Sequence, residues 1–121
     1  MAKPVLVVVD DEDDNRRALT DELGSRYGAH YEIISAGSPE VALARLGELR
    51  AAGAAVPLIL ADQWMPGMTG TEFLARAKQV IPTARRGLLI SWGDRAASAP
   101  VLEAAALGDG VLPAKAGLVS G

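Results

Sequence analysis

The 121-residue sequence predicts an α/β domain in which strands and helices alternate and the strands lie parallel in one sheet, with helices on both faces. Three observations predict it. The runs PVLVVV, VPLILAD and RGLLIS are short and continuously apolar, the pattern of strands buried on both faces rather than on one. Between them lie stretches of helical periodicity of the length that parallel crossovers require. Hydrophobic residues make up 50% of the chain and charged ones 22%, a balance that builds a packed core and does not suit a disordered chain.

Each element has its own signal. Pro4 to Val9 is too short for a helix and rich in Val, hence a strand. From Asp13 the spacing becomes helical, with Ala18, Leu19, Leu23 and Tyr27 recurring among polar residues, and Gly28 ends the helix. HYEIISA reads as the second strand. In SPEVALARLGELRAAG, Ser38 is placed to cap a helix, Pro39 suits its first position, Glu40 its first turn, and Gly53 closes it. VPLILAD is the third strand and MPGMTG a loop. Thr69 then caps a helix carrying Phe73, Leu74, Ala77 and Val80 as far as Pro82, and that apolar stripe is core. RGLLIS is the fourth strand, DRAASAPVLEAAALG a helix weakened by Pro100, and DGVLPAK a fifth strand.

Bulk properties exclude several classes of function. A formal net charge of -3 gives no reason to expect nucleic acid or an anionic membrane as partner. The chain has no cysteine, so it offers no disulfide framework, thiolate metal site or thiol nucleophile. The long apolar stretch of a signal peptide does not follow Lys3, and Arg, Asp or Pro interrupts every apolar stretch well short of a membrane span. A cytoplasmic domain is expected. No glycine-rich phosphate loop is present, and the single His30 precedes the second strand, away from the strand ends that carry the acids.

Those acids are the main chemical signal. Asp10 and Asp11 end the first strand, and Asp62 ends the third. Functional groups in open parallel sheets collect beyond the carboxyl ends of the strands, where strand order reverses. If the two strands are neighbours there, three carboxylates converge and repel one another. A hard divalent cation resolves that conflict: Mg²⁺ takes a few carboxylate oxygens, a carbonyl and several waters. Asp13 and Asp14 have a plainer role, since they open a helix and favour its positive end. Asp62 has no such role, because a loop follows it and not a helix that it could cap.

In order and approximate spacing, VVVDD, LILADQWMPGMTGTEFL, LLIS and LPAK resemble the receiver domain of two-component response regulators, of the chemotaxis-regulator type, from Met1 to about Lys115. The segment D-x-x-M-P-G-M-x-G is the most specific part. The resemblance implies a flavodoxin-like, doubly wound five-stranded sheet of order 2-1-3-4-5. It implies that Asp62 is the phosphoacceptor, taking phosphoryl from a histidine kinase, a phosphotransfer protein or a small donor. It further implies Mg²⁺ as cofactor, held by Asp10, Asp11, Asp62 and the backbone carbonyl of Trp64. Ser91 matches the hydroxyl that bonds the phosphoryl group, and Lys115 the ammonium that neutralises acceptor and phosphate. On this reading the protein is not an enzyme in the turnover sense, although it promotes its own phosphorylation.

The sequence departs from the family in four places. Ala116 follows Lys115 where the family has Pro, and Pro113 stands two residues before it; a one-residue slip in this strand would turn Lys115 to the other face. The usual aromatic switch position falls on Val111 or Leu112. Trp92 follows Ser91 where a small residue is usual, and with Trp64 it is expected to narrow the mouth of the site. AGLVSG is too short for the fifth helix, so residues 1–121 read as a single receiver domain at the N-terminal end of a longer protein, its output module beyond Gly121. A sheet face left open there would invite a partner, a second copy of this chain included. Two other functions stay open. One is a pseudo-receiver that binds proteins without being phosphorylated. The other is an Mg²⁺-dependent phosphatase with an aspartyl nucleophile, for which Asp11 and Asp13 supply the D-x-D spacing.

Overall fold

Val5–Val9 forms β1, and the burial of all five side chains explains its unbroken apolar sequence. Val5, Val7 and Val9 face one core with Phe73, Leu74, Leu46 and Ile59. Leu6 and Val8 face a second with Leu19, Leu23, Leu60 and Leu89. A strand with a covered layer on each side has no polar face to alternate. The computed structural model describes residues 2–90 and 110–113.

After β1 come α1 (Asp13–Tyr27), β2 (Glu32–Ala36), α2 (Pro39–Ala51), β3 (Leu58–Asp62), α3 (Gly70–Val80), β4 (Arg85–Ile90) and β5 (Gly110–Pro113). The sheet is parallel throughout in the order β2-β1-β3-β4-β5, as the resemblance implied. α1 packs on the second core, while α2 and α3 pack on the first. The expected helix over residues 94–108 and the expected shortfall of a fifth helix lie outside the described residues.

Local signals act as their chemistry dictates. The Ser38 hydroxyl accepts from the Val41 N–H at 3.2 Å and Pro39 opens α2. The Thr69 hydroxyl accepts from the Glu72 N–H at 3.2 Å and starts α3. α2 stops at Ala51, two residues before Gly53, whose φ of 73° then makes the turn that glycine permits. Gly28 ends α1 differently, with right-handed backbone; its carbonyl accepts from Lys3 Nζ at 3.0 Å, a cation placed at the negative helix end. β1, β2 and β3 are shorter than the sequence suggested: Pro4, His30, Tyr31, Val56 and Pro57 lie just outside them, although the Pro4 and Pro57 carbonyls still accept from the Glu32 and Arg85 N–H groups at 2.9 and 2.8 Å.

β2 is the expected second strand, and the most exposed of β1, β2 and β3. It is an edge strand, and its exposure follows from having one neighbour.

Candidate functional site

The parallel register sets the site. Val9 of β1 pairs with Ala36 of β2 and with Ala61 of β3, so Asp10 and Asp62 stand side by side one step beyond the last pair. Adjacent strands lie about 4.8 Å apart. Carboxylate oxygens of Asp10, Asp11 and Asp62 accordingly come within 4.8 Å of one another. The three acids that the sequence singled out therefore converge, with Asp10 2% and Asp62 9% exposed.

Asp10 is held firmly. Its N–H donates to the Ala36 carbonyl at 3.1 Å, and its Oδ1 accepts from the Glu12 N–H at 3.0 Å. That local bond draws the chain from β1 into α1, with Glu12 at the helix start and Asp13 and Asp14 in its first turn, as their charge favours. Asp13 is not part of the cluster. Its carboxylate lies 2.6 Å from Arg16 Nη2, with the Asp13 side chain 75% exposed.

Asp62 is positioned by the strap that follows it. Gln63 is 1% exposed, and its Oε1 accepts from both the N–H and the hydroxyl of Thr71, at 3.0 and 2.9 Å. The Gln63 carbonyl accepts from the Gly70 N–H at 2.9 Å, and its own N–H donates to the Leu89 carbonyl at 3.2 Å. The start of α3 is thus drawn back onto the end of β3. Glycine is needed at position 70, because a Cβ there would lie 2.4 Å from the Asp62 carbonyl oxygen and 2.8 Å from Leu88 Cδ1. Between these ties, Met65 and Met68 anchor the loop in the core, Gly67 turns it at φ 81°, and Trp64 projects outward, 42% exposed. Gln63, Thr71 and the steric role of Gly70 were missed from the sequence. Only Gly70 had a trace there, as the last glycine of the D-x-x-M-P-G-M-x-G segment.

The carboxylate spacing fits a small hard cation. Ligand oxygens about 2.1 Å from Mg²⁺ in an octahedron stand about 3 Å apart when adjacent and about 4.2 Å when opposite. Oxygens within 4.8 Å of one another approach that shape, and waters complete it. Ser91, Trp92 and Lys115 lie outside the described residues. In β5 the backbone pairs Val111 with Leu88 and Leu112 with Leu89.

No family model matches the sequence, and no curated protein matches it. Solved structures do. An uncharacterized protein from Neptuniibacter caesariensis is 27% identical with a TM-score of 0.72, over 92% of this chain and 76% of that one. The chemotaxis protein CheY4 of Vibrio cholerae is 25% identical with a TM-score of 0.69, over 91% of this chain and 84% of that one. The signal receiver domain of an HD domain-containing protein from Pseudomonas fluorescens Pf-5 is 24% identical with a TM-score of 0.73, over 93% and 76%; at that identity it speaks for the fold alone. Register, acid cluster and these likenesses together support a signal receiver domain of the response-regulator type.

Proposed function

We propose that this chain is a phosphoacceptor module of a two-component relay, with Asp62 as nucleophile and Asp10, Asp11, Asp62 and the Trp64 carbonyl as the protein ligands of Mg²⁺. The observation that carries the reading is the approach of the three carboxylates within 4.8 Å at the switch point. A bound Mg²⁺ would supply positive charge to the transferring phosphoryl oxygens.

The remaining steps belong to the chain's own residues. One Asp62 carboxylate oxygen attacks phosphorus in line. The new O–P bond forms as the donor bond breaks, P–N for a phosphohistidine or P–O for acetyl phosphate, and the electron pair leaves with imidazole or acetate. The Gln63–Thr71 tie holds the residue that follows the nucleophile, so the end of β3 is ordered before the reaction. Ser91 and Lys115 complete the site in this proposal, by bonding the phosphoryl group and by neutralising it. In the same proposal Trp64, exposed after the acceptor, and Trp92, next to Ser91 in the sequence, slow the entry of donor and water. The chain turns over no substrate of its own, takes its phosphoryl group from a histidine kinase or phosphotransfer protein, and works in the cytoplasm. No helix among the described residues is long and apolar enough to cross a membrane.

The position of Asp13 favours Asp62 over an aspartyl phosphatase. The D-x-D reading needs Asp11 and Asp13 to act together, whereas Asp13 sits in the first turn of α1, paired with Arg16 and exposed. Intact mass after acetyl phosphate with Mg²⁺ tests the proposal. The expected result is one phosphoryl adduct, dependent on Mg²⁺ and lost in Asp62→Asn. No adduct would leave a pseudo-receiver. Phosphate release that survives Asp62→Asn and is lost in Asp11→Asn would favour the phosphatase.

A further inference from the structure

Arg16 reaches from the first half of α1 back to the end of β1. Its Nη1 donates to the Asp10 carbonyl at 2.8 Å, and its Nη2 lies 2.6 Å from the Asp13 carboxylate. The planar fork therefore joins the backbone of one cluster acid to the helix that follows it, a two-point geometry that a lysine ammonium cannot reproduce. The side chain is 22% exposed. It lies against the turn after β2: a Cβ on Gly37 would sit 3.1 Å from Nη1. Gly37 does not have positive φ, so its lack of a side chain serves space and not backbone conformation.

Asp10 is thus fixed at three atoms, its N–H by Ala36, its Oδ1 by Glu12 and its carbonyl by Arg16. It lies one residue past the last β1–β3 pair, tied to β2 through its N–H. We infer that Arg16, with Gly37 leaving room for its guanidinium, is a positioning residue that holds the Asp10 carboxylate in register with Asp62 for cation binding. The inference rests on the proposed metal-dependent reading of the acid cluster.

Charge and position pull in opposite directions here. Deleting the guanidinium removes a cation near the acids, which favours Mg²⁺, and also releases Asp10, which disfavours it. The test therefore uses substitutions that keep the charge. Mg²⁺ titrations of the full chain, read by the thermal midpoint, give an apparent Kd for wild type, Arg16→Lys and Gly37→Ala, with midpoints in chelator measured alongside. Arg16→Lys should weaken Mg²⁺ binding about tenfold, the scale on which groups that orient a metal ligand from behind act, and Gly37→Ala should weaken it less, because a Cβ there moves the guanidinium by only a few tenths of an ångström. A merely structural arginine would shift the midpoint in chelator and leave Kd alone. Gly37→Ala should also have no effect on Kd once Arg16→Met has removed the side chain it displaces. Wild-type affinity in Arg16→Lys, or a Gly37→Ala loss that persists equally in the Arg16→Met background, overturns the assignment of Arg16 and leaves the metal site standing. Failure of the wild type to bind Mg²⁺ overturns both. If Arg16→Lys does not fold, Arg16→Met decides the matter: loss of a cation alone would tighten Mg²⁺ binding, so weaker binding supports the assignment and unchanged or tighter binding overturns it.

Discussion

Replacing Asp62 by Asn keeps the side chain's shape and removes one of three carboxylates that approach within 4.8 Å. In chelator this variant should be more stable than wild type by at least about 1–2 kcal/mol, because two like charges at such range repel by about 0.9 kcal/mol even at the dielectric constant of water, and Asp62 loses two such pairs. A thermal melt should show the midpoint rising by several degrees, and added Mg²⁺ should shrink the gap by stabilising the wild type more. A midpoint that falls would mean that Asp62 contributes more to the fold than it costs. Asp10, Asp11 and Asp62 were legible in the sequence as a set: an acid at a strand-to-helix junction is common, but Asp62 closes an apolar strand with no helix after it to cap. Arg16 and Gln63 were not. Arg16 resembled any polar residue of an amphipathic helix until its bond to the Asp10 carbonyl was seen. Gln63 is a polar residue buried by partners at positions 70, 71 and 89, and no local pattern announces such a meeting.

Among the elements, the junction of β3 and α3 is the most heavily tied. Gln63→Leu would keep the volume and leave the Thr71 N–H and hydroxyl without their acceptor in a buried place. Stranding buried donors costs about 1–3 kcal/mol, so urea denaturation should show a loss of about 2–3 kcal/mol. Because the strap places Asp62, phosphorylation by acetyl phosphate should slow in the same variant. A loss of stability with no change in labelling rate would separate the strap from the site. The cap residues of this region could be read in advance: Thr69 and Ser38 accept the bonds expected of them, since capping depends only on a residue and its next three neighbours. Strand limits were read less well. Val56 is apolar and buried, yet β3 begins at Leu58, after Pro57, which has no N–H to give to a ladder.

For the molecule as a whole, the sheet divides the interior into two cores, and the sequence anticipated this through strands that are apolar on both sides. Phe73, the only phenylalanine, is 0% exposed in the larger core. Phe73→Ala should cost about 3–5 kcal/mol, a large share of the stability usual for one domain, and calorimetry should record a sharply lowered midpoint. A change below 1 kcal/mol would mean that the core closes around the loss. Strand order was legible only through the family resemblance, because periodicity finds strands and says nothing of which ones are neighbours. That order leads to one more consequence. The chain supplies its acids from two pieces, residues 10 and 11 before the exposed bend at Gly53 and residue 62 after it. A cut in that bend would leave neither half with the whole cation-binding set, and recovery of Mg²⁺ affinity on mixing the halves would measure how faithfully the two recombine.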